Sequence, residues 1–142
     1  RIRAATLADV VSIVEFDYTT ATEPQRVDTL RQAIVEQKCW LYVKDSKVNG
    51  YAILHFHFFD HAFISLVYVA PECRRSGVAG ALIFHLLRIC KRARVFTSTN
   101  QSNTNMQKLL EKLGFEQVGQ IKGIDDGDPE IFYMKKNNWA GS

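Results

Sequence analysis

Cysteine is scarce. Cys39, Cys73 and Cys90 make an odd count, and no two stand at a spacing that metal ligands use. That argues against a disulfide framework and leaves three free thiols in a reducing cytoplasm as the simplest reading. Long apolar runs are also lacking. None approaches the roughly 18–20 residues of a membrane span, and no signal peptide is visible. The chain opens on Arg1 without an initiator Met and closes on Gly141-Ser142. Those ends resemble a trimmed chain, and a leader ahead of Arg1 is left open. Strong charge is missing too: a net +3 is too weak and too dispersed to argue for nucleic acid, although it suits a polyanionic cofactor. There are no repeats, low-complexity segments or linkers.

What is present is ordinary globular material. A chain of 142 residues with 46% hydrophobic residues has the size and the core of one domain, expected over 1–142. A strand over 1–5 is expected first. Thr6 then caps a helix over 7–17, and a second helix runs from Pro24, a residue tolerated in a first turn, to about Gln37. Strands follow over 40–44, 51–59 and 62–69, with turns around 45–50 and at Asp60-His61. The segment 78–91 is a helix apolar around much of its circumference, which predicts a sheet on one side and further cover on the other. A strand over 94–99, a helix over 103–113 ended by Gly114, and a hairpin of 115–121 with 130–136 complete the order.

The most informative stretch runs from Val67 to Ile83. An apolar strand stops at Pro71. A short basic loop with Arg74, Arg75, Ser76 and Gly77 follows, and a helix opens at once with Val78, Ala79 and Gly80. Such a loop presents backbone N–H groups at a helix N-terminus, and the helix dipole favours an anion there by roughly 0.3–1 kcal/mol.

The pattern Arg74-x-x-Gly77-x-Ala79, preceded by Val69-x-Pro71, resembles the acyl-CoA signature of the GNAT superfamily of N-acetyltransferases. A second stretch, Asn103-x-x-Met106-x-x-Leu109-Leu110-Glu111-Lys112-Leu113-Gly114-Phe115, is similar to the downstream motif of that family. The opening Ile2-Arg3-x-Ala5-x-x-x-Asp9 fits its first strand and helix. The resemblance covers nearly the whole chain. It implies an α/β fold: a mixed, mostly antiparallel central sheet flanked by helices on both faces and splayed between strands 4 and 5.

It also implies acetyl-CoA as co-substrate and no metal. The pyrophosphate would sit on amides from Arg74 to Ala79, with Gly77 and Ala79 chosen for smallness. The pantetheine arm would pair with Val67, Tyr68 and Val69, near an expected bulge, and the Val69 N–H would act as oxyanion donor. Asn103 reads first as a helix cap; the family often uses this asparagine near the pantetheine. The implied reaction is acetyl transfer to a primary amine of a small molecule, amino acid or peptide, by direct attack in a ternary complex. A non-catalytic acyl-CoA binding module is the alternative. Transfer to a hydroxyl, or of a longer acyl chain, is a third.

Two seats of the family's catalytic pair are changed. Leu110 stands where many members have the tyrosine that protonates the leaving thiolate. Ser65 stands where many have a glutamate base on the fourth strand. Water, Tyr68 or Tyr133 could replace the acid. His55 and His57 share a strand face and titrate in the range a base needs; their plainer reading is as ordinary sheet residues. A metal site from His55, His57 and His61 is a weak pattern. Asp60, Glu130 and Glu23 are candidates for holding the acceptor, and the acidic turn 125–130 favours a cationic one. The basic cluster Arg88, Lys91, Arg92 and Arg94 reads as a solvated helix end or as a contact for phosphates or an acidic partner. No nucleic acid and no membrane are expected as partners, and the chain should be a monomer or homodimer.

Overall fold

The computed structural model describes residues 1–138; Gly141 and Ser142 lie outside the described residues. The elements run β1 (Ile2–Ala4), a 3-10 turn (Leu7–Asp9), α1 (Val10–Phe16), α2 (Thr19–Thr22), α3 (Gln25–Val35), β2 (Cys39–Lys44), β3 (Lys47–Phe58) and β4 (His61–Val69). A second 3-10 turn (Pro71–Cys73) leads to α4 (Val78–Ile89), β5 (Arg94–Asn100), α5 (Thr104–Lys112), β6 (Glu116–Ile121) and β7 (Glu130–Lys136). One seven-stranded mixed sheet has the order β1-β2-β3-β4-β5-β7-β6. β4 and β5 pair in parallel from Ala62↔Val95 to Ile64↔Thr97, while β1–β2, β2–β3, β5–β7 and β6–β7 are antiparallel. The alternating burial of β4 holds through exposed Ser65 and gives way to uniform half-burial from Leu66 to Val69.

By its internal contacts the chain divides into two units: Arg1–Leu54 with Leu66–His85, and His55–Ser65 with the residues from Leu86 onward. The first unit buries Ile13, Leu30, Leu41 and Tyr51 completely. Its opening helix differs from the expected 7–17. Asp9 turns back in a capping box with Thr6, so the first turn is 3-10 and α1 begins at Val10. The β2–β3 turn is also tighter than expected. Asp45 and Ser46 have φ of +52° and +63°, and two left-handed residues close a hairpin whose twist matches its strands. β3 therefore begins at Lys47. Gly50 is required there, because a Cβ would stand 2.9 Å from the Tyr68 carbonyl oxygen, and backbone cannot yield.

In the second unit, Phe59 and Asp60 make a similar two-residue turn with φ of +50° and +63°. Asn103 caps α5 by accepting from the Met106 N–H at 3.1 Å. Gly114, at φ +94°, ends α5, and the Phe115 N–H bonds back to the Leu110 carbonyl at 2.9 Å. The expected enclosure of α4 is only partial. Leu82, Ile83, Leu86 and Leu87 are buried, but Phe84 is 46% exposed and Arg88 is exposed. One stripe of the helix is buried, and Phe84 and Arg88 on another are exposed. Cys39 and Cys90 are buried free thiols and Cys73 is half-buried; burial pushes the Cys39 thiol up to about 12.

Candidate active site

In the first unit, the loop between the Pro71–Cys73 turn and α4 is held open by backbone conformation. Arg75 and Gly77 adopt φ of +65° and +86°. A Cβ on Gly77 would meet nothing within 4 Å. Within the protein, glycine is thus set by its dihedral angle rather than by crowding. Among the described residues, no protein acceptor takes the backbone N–H of Arg75, Ser76, Gly77, Val78, Ala79 or Gly80. The first bond back into the helix is Ala81 N–H to the Gly77 carbonyl at 3.0 Å. Ser76 Oγ donates to the Cys73 carbonyl and so tightens the loop. The two arginines divide their work. Arg74 folds back, its Nε donating to the Val69 carbonyl at 3.1 Å and its guanidinium lying 5.3 Å from the Tyr68 ring centroid. Arg75 is exposed.

Tyr68 is the hinge of a network that sequence reasoning missed. Its ring also lies 5.8 Å from the Arg26 guanidinium and stacks on Phe16 at 6.2 Å. Arg26 Nε donates to Asp17 Oδ2 and to the Tyr51 hydroxyl, both at 3.1 Å. The Tyr51 hydroxyl in turn donates to Asp17 Oδ2 at 2.5 Å, and Thr19 N–H donates to Oδ1 at 3.0 Å. Asp17 is fully buried. Burial, together with the bond to Asp17, pushes the Tyr51 phenol well above its ordinary range, so it remains a donor. The only sequence signal was a charged residue inside an apolar stretch. Glu23 sits at the edge of this network, 62% exposed and 3.8 Å from Arg26.

The candidates of the second unit are arranged differently. His55 and His57 stack with centroids 5.5 Å apart, as their shared face implies. His55 Nδ1 accepts from the His57 backbone N–H at 3.1 Å, which places the neutral ring's proton on Nε2. The His57 ring is exposed. His61 lies 5.4 Å from Phe96, and among the described residues no three His, Cys, Asp or Glu side chains form a metal-binding group. Glu130 is half-buried and accepts from Ser98 Oγ at 2.7 Å. Asp60 contributes its backbone carbonyl to Arg92.

Tyr133 is 1% exposed and shares a strand face with buried Ile131, opposite Glu130 and Phe132. Burial raises its phenol, and Glu111 adds to the rise. Leu110 is likewise buried, at 1%. Part of the acidic turn has structural duties. Asp128 takes the backbone and side chain of Ser102 at 3.0 and 2.6 Å, and Asp125 takes Asn100 Nδ2 at 2.9 Å.

A row of unused N–H groups on an arginine- and glycine-bearing loop, at the head of a helix after a strand, defines a class. The acetyltransferase (GNAT) family model matches residues 7–115. A GNAT-family acetyltransferase structure from Bacillus cereus is 33% identical, with 96% of each chain covered and a TM-score of 0.89. The chain belongs to the GNAT acetyltransferase family. A Salmonella typhimurium structure containing acetyl-CoA shares the fold at 18% identity and TM-score 0.79, covering 100% of this chain and 96% of that one. The human cysteine-rich protein 2-binding protein is 38% identical over 58 residues, a match spanning 41% of this chain and 7% of that protein's length. No helix among the described residues is long and apolar enough to cross a membrane.

Proposed function

We propose that this chain transfers an acetyl group from acetyl-CoA to a primary amine of a small molecule, amino acid or peptide. The observation that carries the reading is the free N–H row from Arg75 to Gly80 at the head of α4. The donor set fits a pyrophosphate. It offers backbone donors, a dipole end, an exposed Arg75, and open space over Gly77 that a side chain would fill. Family membership and a relative that binds acetyl-CoA support the same cofactor.

Each unit supplies its own groups. In the first, Val67, Tyr68 and Val69 offer an extended backbone to the pantetheine arm, and the Val69 N–H would stabilise the oxyanion. Tyr68, in contact with both Arg26 and Arg74, would help keep that strand and the loop after it in one geometry. In the second, Asn103 remains a pantetheine candidate through its Nδ2, since Oδ1 is used as the cap.

The amine lone pair attacks the thioester carbonyl carbon. A C–N bond forms, the C–S bond breaks, and CoA departs as thiolate. The amine's proton goes to a base, for which exposed His57 is a better candidate than His55, whose Nδ1 is already accepting. Buried Tyr133 is a poor acid, and Leu110 cannot be one. The departing thiolate, with a thiol pKa of roughly 8.5 by analogy with cysteine, tolerates protonation by water or by Tyr68. Glu130, Asp60 and Glu23 are proposed to bind a cationic acceptor. A single 1–142 domain, a monomer or homodimer, acting in the cytoplasm, completes the proposal.

The test is a thiol-release assay from acetyl-CoA against amino acids, polyamines, aminoglycosides and short peptides, with calorimetric binding in parallel. Release dependent on one amine class supports the enzyme reading. Binding without release supports the binding-module alternative. Absence of binding refutes both.

A further inference from the structure

The basic cluster noted in the sequence is not absorbed by the cofactor reading. Two of its members, Arg92 and Arg94, stand in the second unit at the start of β5, and Arg94 is six residues and therefore about 20 Å from Asn100 at the strand's far end. His61, Arg92, Ala93, Arg94 and Lys136 line a cavity of about 500 Å³. Three of the five are permanent cations, and they come from three places: the approach to β5, its first residue, and the end of β7.

Two features distinguish this cavity from a solvated helix end. First, Arg94 and Lys136 are direct cross-strand partners in the antiparallel β5–β7 ladder. Like charges in that position oppose pairing, and the ladder is strengthened by whatever neutralises them. Among the described residues no carboxylate does so. The ion pairs among the described residues join Arg3 to Asp9, Arg26 to Asp17 and Glu23, and Lys47 to Glu72. Second, Arg92 is preorganised. Its Nη1 donates to the Asp60 carbonyl at 2.7 Å, a carbonyl fixed by the left-handed Phe59-Asp60 turn, and its guanidinium lies 4.6 Å from the Phe56 ring centroid. Further donors of its fork are left over.

We propose that this cavity binds a phosphate-class polyanion. Its three cations, one ahead of β5, one on β5 and one on β7, match several oxyanion groups better than one. An oligophosphate, inorganic or carried by a nucleotide, has that charge and spacing. None of the lining residues belongs to the set proposed for acetyl-CoA.

The experiment is calorimetry and thermal melting of the whole chain with sodium tripolyphosphate, with ATP, with monophosphate, and with sodium chloride at matched ionic strength. Tripolyphosphate should raise Tm and bind at least about tenfold more tightly than monophosphate, and the R94Q/K136Q double variant should lose at least about tenfold in affinity. A separate prediction concerns the ligand-free protein. Lys136→Gln should melt about 1–4 °C higher in phosphate-free buffer, because a like-charge pair is removed. The ATP arm distinguishes a nucleotide from an inorganic source; either supports the proposal. It is overturned if sodium chloride reproduces the shift, if the double variant binds unchanged, or if Lys136→Gln melts lower. Equal affinity for polyglutamate overturns the phosphate assignment. Competition by acetyl-CoA, with the same variants weakening acetyl-CoA, would make the cavity part of the cofactor site and overturn it as well.

Discussion

Gly77 permits a quantitative test, because conformational strain and ligand clash separate there. At φ +86° an L-residue pays roughly 1–2 kcal/mol. A Cβ meets no protein atom within 4 Å, so Gly77→Ala incurs the strain without a steric term. For a domain of this size that corresponds to a fall in Tm of about 3–8 °C. Gly77→Val adds β-branching but still no clash in the ligand-free protein, so it should also fold. The difference appears on binding. The added methyls occupy the open space over the N–H row, and losing one charge-assisted bond to a phosphate costs about 1.5–3 kcal/mol, or roughly 10–150-fold in Kd. Thermal melts and acetyl-CoA calorimetry on the wild type and both variants measure the two terms independently. A folded Gly77→Val protein whose affinity stays within about threefold of wild type would refute the placing of pyrophosphate on this loop.

Four further outcomes follow from the same geometry. Arg3 grips Asp9 through two bonds of 2.9 Å, and that partner, with Thr6, holds the carboxyl down to about 2 from an ordinary 3.8. A depressed carboxyl stabilises above its unfolded pKa and loses that contribution as pH falls from about 4 to 2. The full shift corresponds to about 2.4 kcal/mol, discounted to about 1–2 because Arg3 is a third exposed, and urea unfolding at pH 2–6 should show a slope that Asp9→Asn flattens. Asp17→Ala should destabilise by about 3–5 kcal/mol, since Arg26 is left largely buried with exposed Glu23 as its remaining countercharge, and chemical denaturation reads this directly. Gly50→Ala should lower stability by at least about 1 kcal/mol through its 2.9 Å approach to the Tyr68 carbonyl, measured by the same method. Leu110→Tyr, the obvious way to restore a family-type acid, should cost about 1–3 kcal/mol by overfilling a position that is 1% exposed; a loss of Tm without gain in kcat is the expected result.

Pattern and turn chemistry explain why much of this architecture was readable in advance. The apolar spacing of 103–113 and the glycine at 114 fix a helix and its end from local sequence, and α5 and Gly114 adopt that form. The strand–loop–helix passage through Arg74 and Gly77 is likewise a local grammar, since it depends on φ preferences and on which N–H groups a helix start leaves over. His55 and His57 share a face because a strand has a period of two, which needs no partner strand.

Long-range contacts were not readable. Asp17 and Tyr51 are 34 residues apart, and only the folded first unit brings carboxylate, phenol and Arg26 together. Tyr133 looked available as an acid; strand parity in the assembled sheet buries it beside Ile131. The Arg94–Lys136 pair joins residues 42 positions apart, and its like charges become adjacent only through β5–β7 register. The sequence by itself determined most of the elements, their order and the glycine-bearing loop ahead of α4, because those rest on local dihedral and periodic preferences. The tertiary structure alone decided which charges meet and which side chains are sealed, because both depend on pairing between segments that the chain separates.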